Sequence, residues 1–223
     1  MPPGAVAVSL RLATFASRHL QPHNRYIDLA VLILLLIPGL LLFMGLHLLR
    51  ELGWRATLQQ RLGIRRYRIV FSLGIVISLV MIVEGKAGAP FIQLWVPPFN
   101  MRSLTHLLMI SATILFMAGN LPRSYTRELM IHPMLIGVIV WGVAHLLSNG
   151  DLASVLIFGT LPIWALIKIV SLERAKKLHE SCANDRRPGL QWDGAAIILG
   201  MIAYSVFLLF HGQLFGFALI VPI

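Results

Sequence analysis

Acidic residues are scarce in this chain. Asp and Glu total 9 of 223 residues, and none falls inside a long apolar stretch, so a proton or ion pathway built on buried carboxylates has no sequence support. Charge of either sign is thin. Only 13% of residues are charged and 57% are hydrophobic, against roughly 25% charged in an average soluble domain. A mean hydropathy of +0.80 then excludes a soluble monomer. Cysteine occurs once, as Cys182, which excludes an internal disulfide and a thiolate zinc site. No phosphate-binding glycine loop, nucleophile elbow or CxxC pair is present, so the common signatures of nucleotide, hydrolase and thiol-redox chemistry are missing. Repeats and low-complexity tracts are absent too.

What is present is a succession of stretches without charge: residues 29–49, 69–83, 103–122, 129–150, 152–167 and 194–223. Crossing a hydrocarbon core of roughly 30 Å takes about 20 mainly apolar residues. The second and fifth stretches are shorter than that and must recruit their flanks, with Arg68, Glu84 and Lys168 snorkelling. The expected fold is an all-α, polytopic integral membrane helix bundle of six transmembrane helices, at about 29–49, 67–85, 103–122, 130–149, 152–171 and 194–219. A membrane domain from residue 28 to 223 would follow a flexible or interfacial basic extension, 1–27, whose composition is shared with organellar transit peptides. The uncharged run 87–101 contains Gly88, Pro90, Pro97 and Pro98, too many helix breakers for a span. With Trp95 and Phe99 it reads as a loop in the membrane interface. Ser148-Asn149-Gly150-Asp151 signals a tight turn joining the fourth and fifth spans. Pro38-Gly39 and Pro162 should kink their helices, and Gly137, Gly142 and Gly159 should permit close helix packing.

The formal charge is +10, from 19 basic and 9 acidic residues. Threading the six spans alternately puts 14 of the 19 basic residues on one side and 5 on the other. By the positive-inside rule the basic loops are cytoplasmic and both termini lie outside. This distribution accounts for the charge without nucleic acid. The bilayer itself is the expected partner, since basic loops attract anionic headgroups.

The chemistry-bearing residues are histidines. Five of the eight, His47, His106, His132, His145 and His211, fall inside or at the ends of spans, where an imidazole needs a partner and haem iron is one candidate. A rise of 1.5 Å per residue puts His145, His211 and His106 in one layer near the outer face, and His47 with His132 in a second layer at the basic side. Asn100, Asn149 and Asp151 sit at the outer end and are placed to orient imidazole N–H groups; Arg50, Glu51, Arg123 and Glu128 surround the inner layer. Each histidine also has a plainer role open to it. His132 precedes Pro133 and suits a helix entry in the headgroup region, and His47, followed by Arg50, suits an interfacial anchor. His106 is close enough to the surface to be solvated. A hydrogen bond to a neighbouring helix would satisfy His145 or His211.

Several segments resemble the NnrU family of bacterial membrane proteins. They are Gly45-Leu46-His47-Leu48-Leu49-Arg50, Gly53-Trp54-Arg55, Trp95-Val96-Pro97-Pro98 and His132-Pro133. Trp141-Gly142-Val143-Ala144-His145-Leu146-Leu147-Ser148-Asn149-Gly150-Asp151 and the closing His211-Gly212-Gln213-Leu214-Phe215-Gly216 complete the set. The resemblance covers most of the chain from about residue 29. It implies a bacterial inner membrane location and an association with denitrification and nitric oxide reductase. The family is also similar to the plastid 15-cis-zeta-carotene isomerase, a membrane enzyme that uses haem b. Carried over by motif, the axial ligands would be His47 and His145. The isomerase pattern has a Cys three residues before the second ligand, where this chain has Gly142, so a Cys/His ligand exchange is not available. Threading sets the implied pair about 15–20 Å apart in depth, whereas ligands of one iron are about 4 Å apart. All five histidines therefore stay candidates.

Three functions compete. The first is a haem-b-binding membrane protein, redox-active or isomerising, with a lipophilic substrate. The second is a non-catalytic accessory or assembly factor for a respiratory complex such as nitric oxide reductase. The third, a small transporter, lacks the broken helices and intramembrane charges of coupled transport.

Overall fold

The computed structural model describes residues 29–98, 101–178 and 188–215. The extension 1–27, Phe99, Asn100, Cys182 and the end of the sixth span beyond residue 215 lie outside the described residues. The described residues form eight helices in chain order: α1 (Leu29–His47), α2 (Trp54–Leu62), α3 (Ile64–Ala87), α4 (Met101–Asn120), α5 (Tyr125–Leu129), α6 (Pro133–Ser148), α7 (Leu152–Leu178) and α8 (Leu190–Phe215). The all-α expectation holds. Five of these helices, α1, α3, α4, α7 and α8, are long and apolar enough to cross a membrane. The sixth, α6, is apolar but has 16 residues, a rise of about 24 Å. Six spans are compatible with this arrangement. As expected, the short second and fifth runs recruit flanking residues: α3 starts at Ile64 and α7 continues to Leu178.

Local chemistry sets the helix boundaries and bends. Pro38 lacks an N–H, and its ring would clash with a carbonyl one turn back. The helix accommodates this with a π-helical turn over Leu32–Leu36, where the Ile37 N–H reaches the Leu32 carbonyl; π-bulges are a recognised cause of helix bends. Gly53 and Gly63 have φ of 73° and 76°, the left-handed region that glycine alone enters readily. They turn the chain from α1 through α2 into α3. Ser124 caps α5 by accepting from the Arg127 N–H at 3.2 Å. The Asp193 carboxylate of α8 accepts from the Tyr125 and Thr126 N–H groups at 3.0 and 2.9 Å, fastening the start of α8 to α5.

The helices pack in two groups. α1 pairs with α3; α7, α6, α4 and α8 form a row in that order, and α1 and α3 both touch α7. The apolar core joins Leu36, Leu40 and Phe43 of α1 to Ile82 of α3 and to Ile157, Trp164 and Ala165 of α7. Small residues set the spacing, as in membrane bundles generally. A side chain at Gly137 would press on the Ala112 carbonyl of α4, and one at Gly142 would overlap the Pro162 ring of α7. Gly159 departs from the expectation of close packing: a Cβ there meets nothing within 4 Å, because that face of α7 looks away from its neighbours. The outer surface is lipid-like, with Leu34, Leu41, Leu73 and Ile198 each more than half exposed. Water would penalise so large an apolar surface; a bilayer does not.

Residues 88–98 form a non-helical loop, and it is more firmly attached than an interfacial segment need be. The Leu94 and Trp95 N–H groups donate to the Gly150 carbonyl at 2.7 and 3.1 Å, and the Leu152 N–H donates to the Ile92 carbonyl at 2.8 Å. The loop is thus strapped across the tight α6–α7 turn. Gly150 is needed there, since any Cβ would overlap the Trp95 carbonyl oxygen. Lys86, at the end of α3, completes the strap by pairing with Asp151 at 2.5 Å, the aspartate side chain being only 6% exposed. Asp151 also accepts from the Ser154 N–H and hydroxyl.

Burial alone would raise the Asp151 carboxyl, but the hydrogen bonds from Lys86 and Ser154 hold it below its ordinary value. A depressed carboxyl stabilises the fold above its unfolded value and loses that contribution as pH falls through the folded value. Thermal stability of the detergent-solubilised protein is therefore expected to be level near neutrality and to drop in acid. Asp151→Ala removes one partner of a buried pair, a loss of about 3 kcal/mol, and should lower the Tm by roughly 6–12 °C for a chain of this size. A melting curve unmoved by the substitution would show that the strap contributes nothing.

Candidate functional site

Two of the five membrane histidines occupy matching settings. His47 ends α1, and its Nδ1 lies 2.9 Å from the Phe43 carbonyl one turn earlier. His145 is near the end of α6, with its Nδ1 2.9 Å from the Trp141 carbonyl. A carbonyl only accepts, so Nδ1 carries the proton and Nε2 presents a lone pair. No described residue hydrogen-bonds either Nε2. An imidazole oriented by Nδ1–H to a backbone carbonyl is the usual arrangement of a metal-ligating histidine.

Each ring also sits in an aromatic box shared with α7. His47 stacks on Phe43 at 4.1 Å between centroids and meets Trp164 at 4.8 Å and Phe71 at 5.8 Å. His145 stacks on Phe158 at 4.3 Å and meets Trp141 at 4.9 Å. Each imidazole stacks on one aromatic face, and the remaining rings meet it edge-on or tilted, which together limits rotation of its plane. The pattern has a sequence signal that span-counting does not use: an aromatic residue stands four positions before each of these two histidines, on the same helix face. The α7 contributions, Phe158 and Trp164, have no such local signal.

The boxes are separate. Phe158 and Trp164 are six residues apart on α7, about 9 Å of rise and roughly 120° around the helix axis. The two rings share no aromatic neighbour. His211, near the end of α8, lies within electrostatic range of His145. His106 on α4 bonds through Nδ1 to the Tyr204 hydroxyl of α8 at 2.8 Å. Beside it, the Thr105 hydroxyl joins α4 to α6 through the Ala144 carbonyl at 3.3 Å and Ser148 at 2.7 Å. The three outer histidines accordingly sit on three adjacent helices. His132, before Pro133, pairs through Nε2 with Glu173 of α7 at 2.8 Å.

Asn149 and Asp151, expected to orient these rings, have other partners. Asn149 donates to the backbone carbonyl of His145 at 2.8 Å, as a helix cap, and Asp151 belongs to the strap. The Trp141 carbonyl takes the imidazole N–H instead. Arg50 is near His47 in the wall of a common cavity. Arg123 and Glu128 pair with each other at 2.6 Å. At the basic end, Lys168 of α7 donates to the Glu51 carboxylate at 3.0 Å and to the His47 carbonyl at 3.1 Å, and Ser171 donates to Glu51 at 3.0 Å. Burial would raise the Glu51 carboxyl; the hydrogen bonds from Lys168 and Ser171 keep it below its ordinary value. The expected snorkelling lysine is therefore a tie between α7 and the end of α1.

Among the described residues no three His, Cys, Asp or Glu side chains converge to hold a metal ion, so chelation by a cluster of such residues does not arise there. One or two imidazoles with open Nε2 atoms in apolar aromatic surroundings instead match the donor chemistry of haem ligation. No curated protein and no solved structure matches the chain. The family model described as NnrU protein matches residues 35–219, which takes in α3 to α7 whole, most of α1 and all of described α8. With that match over most of its length, this membrane helix bundle belongs to the NnrU family.

Proposed function

We propose that the protein binds haem b in the membrane, with His145 as a residue that would hold the iron. The observation that carries this reading is the His145 ring itself: Nδ1 fixed on the Trp141 carbonyl, faces packed against Phe158 and Trp141, and Nε2 without a hydrogen-bond partner among the described residues. His211, within electrostatic range of His145, is one candidate for a second ligand, and His47 is the one implied by the family resemblance. His106 and His132 already hold Tyr204 and Glu173, which suits structural roles. A bound haem would supply one-electron redox chemistry, which suits nitric oxide metabolism in a denitrifying bacterium or action on a lipophilic, isoprenoid-like substrate. Phe158 and Trp141 would keep the His145 ring in place for the cofactor, and the apolar helix surfaces would admit a lipophilic substrate from lipid. The basic end faces the cytoplasm of the inner membrane in this reading.

Complementation separates this from a non-catalytic accessory role for a respiratory complex. In a deletion strain, His145→Ala should fail to restore the phenotype while being present in the membrane at normal levels. Full complementation by that variant, together with a fall in the activity of nitric oxide reductase on deletion, would favour the accessory role.

A further inference from the structure

The basic end of the bundle carries a cavity of about 380 Å³ where α1, α2, α3 and α7 meet. Its walls are of two kinds. His47, Tyr67 and Phe71 supply an aromatic side, and Arg50, Arg55 and Arg68, with Lys168 already held by Glu51, supply a cationic one. A second cavity of about 310 Å³ shares Arg50 and Arg55. Among the described residues none of the three arginines is in an ion pair: Glu51, beside Arg50 in sequence, is taken by Lys168 and Ser171. Next to His47, the Trp164 indole N–H is buried without a hydrogen-bond partner among the described residues.

The turn that presents these arginines is built rather than loose. Gly53 takes a φ of 73°, and the Trp54 and Arg55 N–H groups both donate to the Leu49 carbonyl at 3.0 Å. That fold brings Arg50 and Arg55 to the same cavity. A general excess of basic residues on one side of the membrane does not account for this selection. Arg61, Arg65 and Arg66 belong to the same connection and line neither cavity.

Unpaired guanidinium groups around one cavity call for an anion. Arginine forks match phosphate oxygens in pairs, and basic pockets between transmembrane helices are known to seat anionic lipid head groups. The larger volume is in the range of small-ligand sites, about 300–1,000 Å³. We propose that this cavity binds the phosphate head group of an anionic amphiphile, with Arg50, Arg55 and Arg68 on the phosphate and the His47, Tyr67 and Phe71 wall against the first carbons of its chain. The site is independent of haem binding at His145.

The test uses delipidated full-length protein in detergent, titrated with short-chain phosphatidylglycerol or phosphatidylcholine and read by native mass spectrometry. Wild type should prefer the anionic lipid by a factor on the order of 100, given three arginines near one phosphate. The triple variant Arg50→Gln, Arg55→Gln, Arg68→Gln should lose that preference. The equally charge-depleted Arg61→Gln, Arg65→Gln, Arg66→Gln protein should keep it. If the first triple variant does not fold, Arg68→Gln alone should show a partial loss. Inorganic pyrophosphate identifies the source: displacement of the lipid marks a site for the phosphoryl group of a soluble molecule, and no displacement marks a bilayer lipid held by its chain. Equal binding of both lipids by wild type, or equal loss in the two triple variants, would overturn the proposal. So would haem absorption that disappears with the three cavity arginines while lipid preference persists, since the arginines would then serve the cofactor.

Discussion

Replacing His145 with alanine is expected to abolish the Soret absorption of the purified protein while leaving its helicity unchanged. The expectation rests on the ring's unshared Nε2 and on its fixed orientation. Its Nδ1–H bond runs to Trp141 of its own helix, and its face is held by Phe158 of the next. Loss of a residue that merely orients a metal ligand typically lowers metal affinity 10–100-fold, and loss of the ligand itself should cost at least about 100-fold. Haem per protein in the variant should then be near zero after purification. Parallel variants identify the second ligand: a comparable loss in His211→Ala supports the proximal pair, and in His47→Ala the pair implied by resemblance. His106→Ala and His132→Ala should retain haem, because their rings are engaged with Tyr204 and Glu173. An unchanged spectrum in His145→Ala would remove that residue from the site.

The second large effect concerns Gly142, the position at which the isomerase resemblance puts a cysteine. Introducing that cysteine is expected to destabilise the bundle strongly. A Cβ at Gly142 would overlap the Pro162 ring and press on the Phe158 carbonyl at 2.8 Å. Neither neighbour is the free end of a flexible side chain. Overpacking typically costs about 1–3 kcal/mol, occasionally more, and a clash with ring and backbone belongs at or above the upper end. The strain falls on α7 at Phe158, the residue stacked on His145. Gly142→Cys should therefore lower the Tm by roughly 6 °C or more and also weaken haem retention, although Gly142 is no ligand. Gly159→Cys, on the open face of the same α7 helix, is the control and should change neither. If Gly142→Cys melts like wild type, α6 and α7 are not as close as the structure has them.

The fold was largely legible because hydrophobic run length and helix breakers are one-dimensional signals. The all-helical membrane bundle, the tight turn at Asn149-Gly150 and the non-helical run with Pro90, Pro97 and Pro98 all follow from them; the shortness of α6 does not, because its uncharged run 129–150 is long enough for a span while the helix itself covers only Pro133–Ser148. What sequence could not supply is which helices touch. Phe158 and Trp164 become walls of the histidine boxes only because α7 lies between α1 and α6, and nothing local to residues 152–178 announces that. Tyr204 as partner of His106, and Lys168 as the tie to Glu51, are likewise products of tertiary contact. Gly159 shows the same limit from the other side: a glycine in a span reads as a packing site, but its face decides. Asn149 and Asp151 illustrate a further one. Both stand near His145 in the chain, yet helix capping and the strap claim their polar atoms.

The most direct measurement is the reduced-minus-oxidised visible spectrum of the detergent-purified wild-type protein, with iron quantified on the same sample. The account predicts a b-type spectrum with about one iron per chain, as befits axial ligation by imidazole. Absence of both iron and a Soret band, even after haem supplementation during expression, would contradict it and leave the histidines as structural residues of an accessory membrane protein.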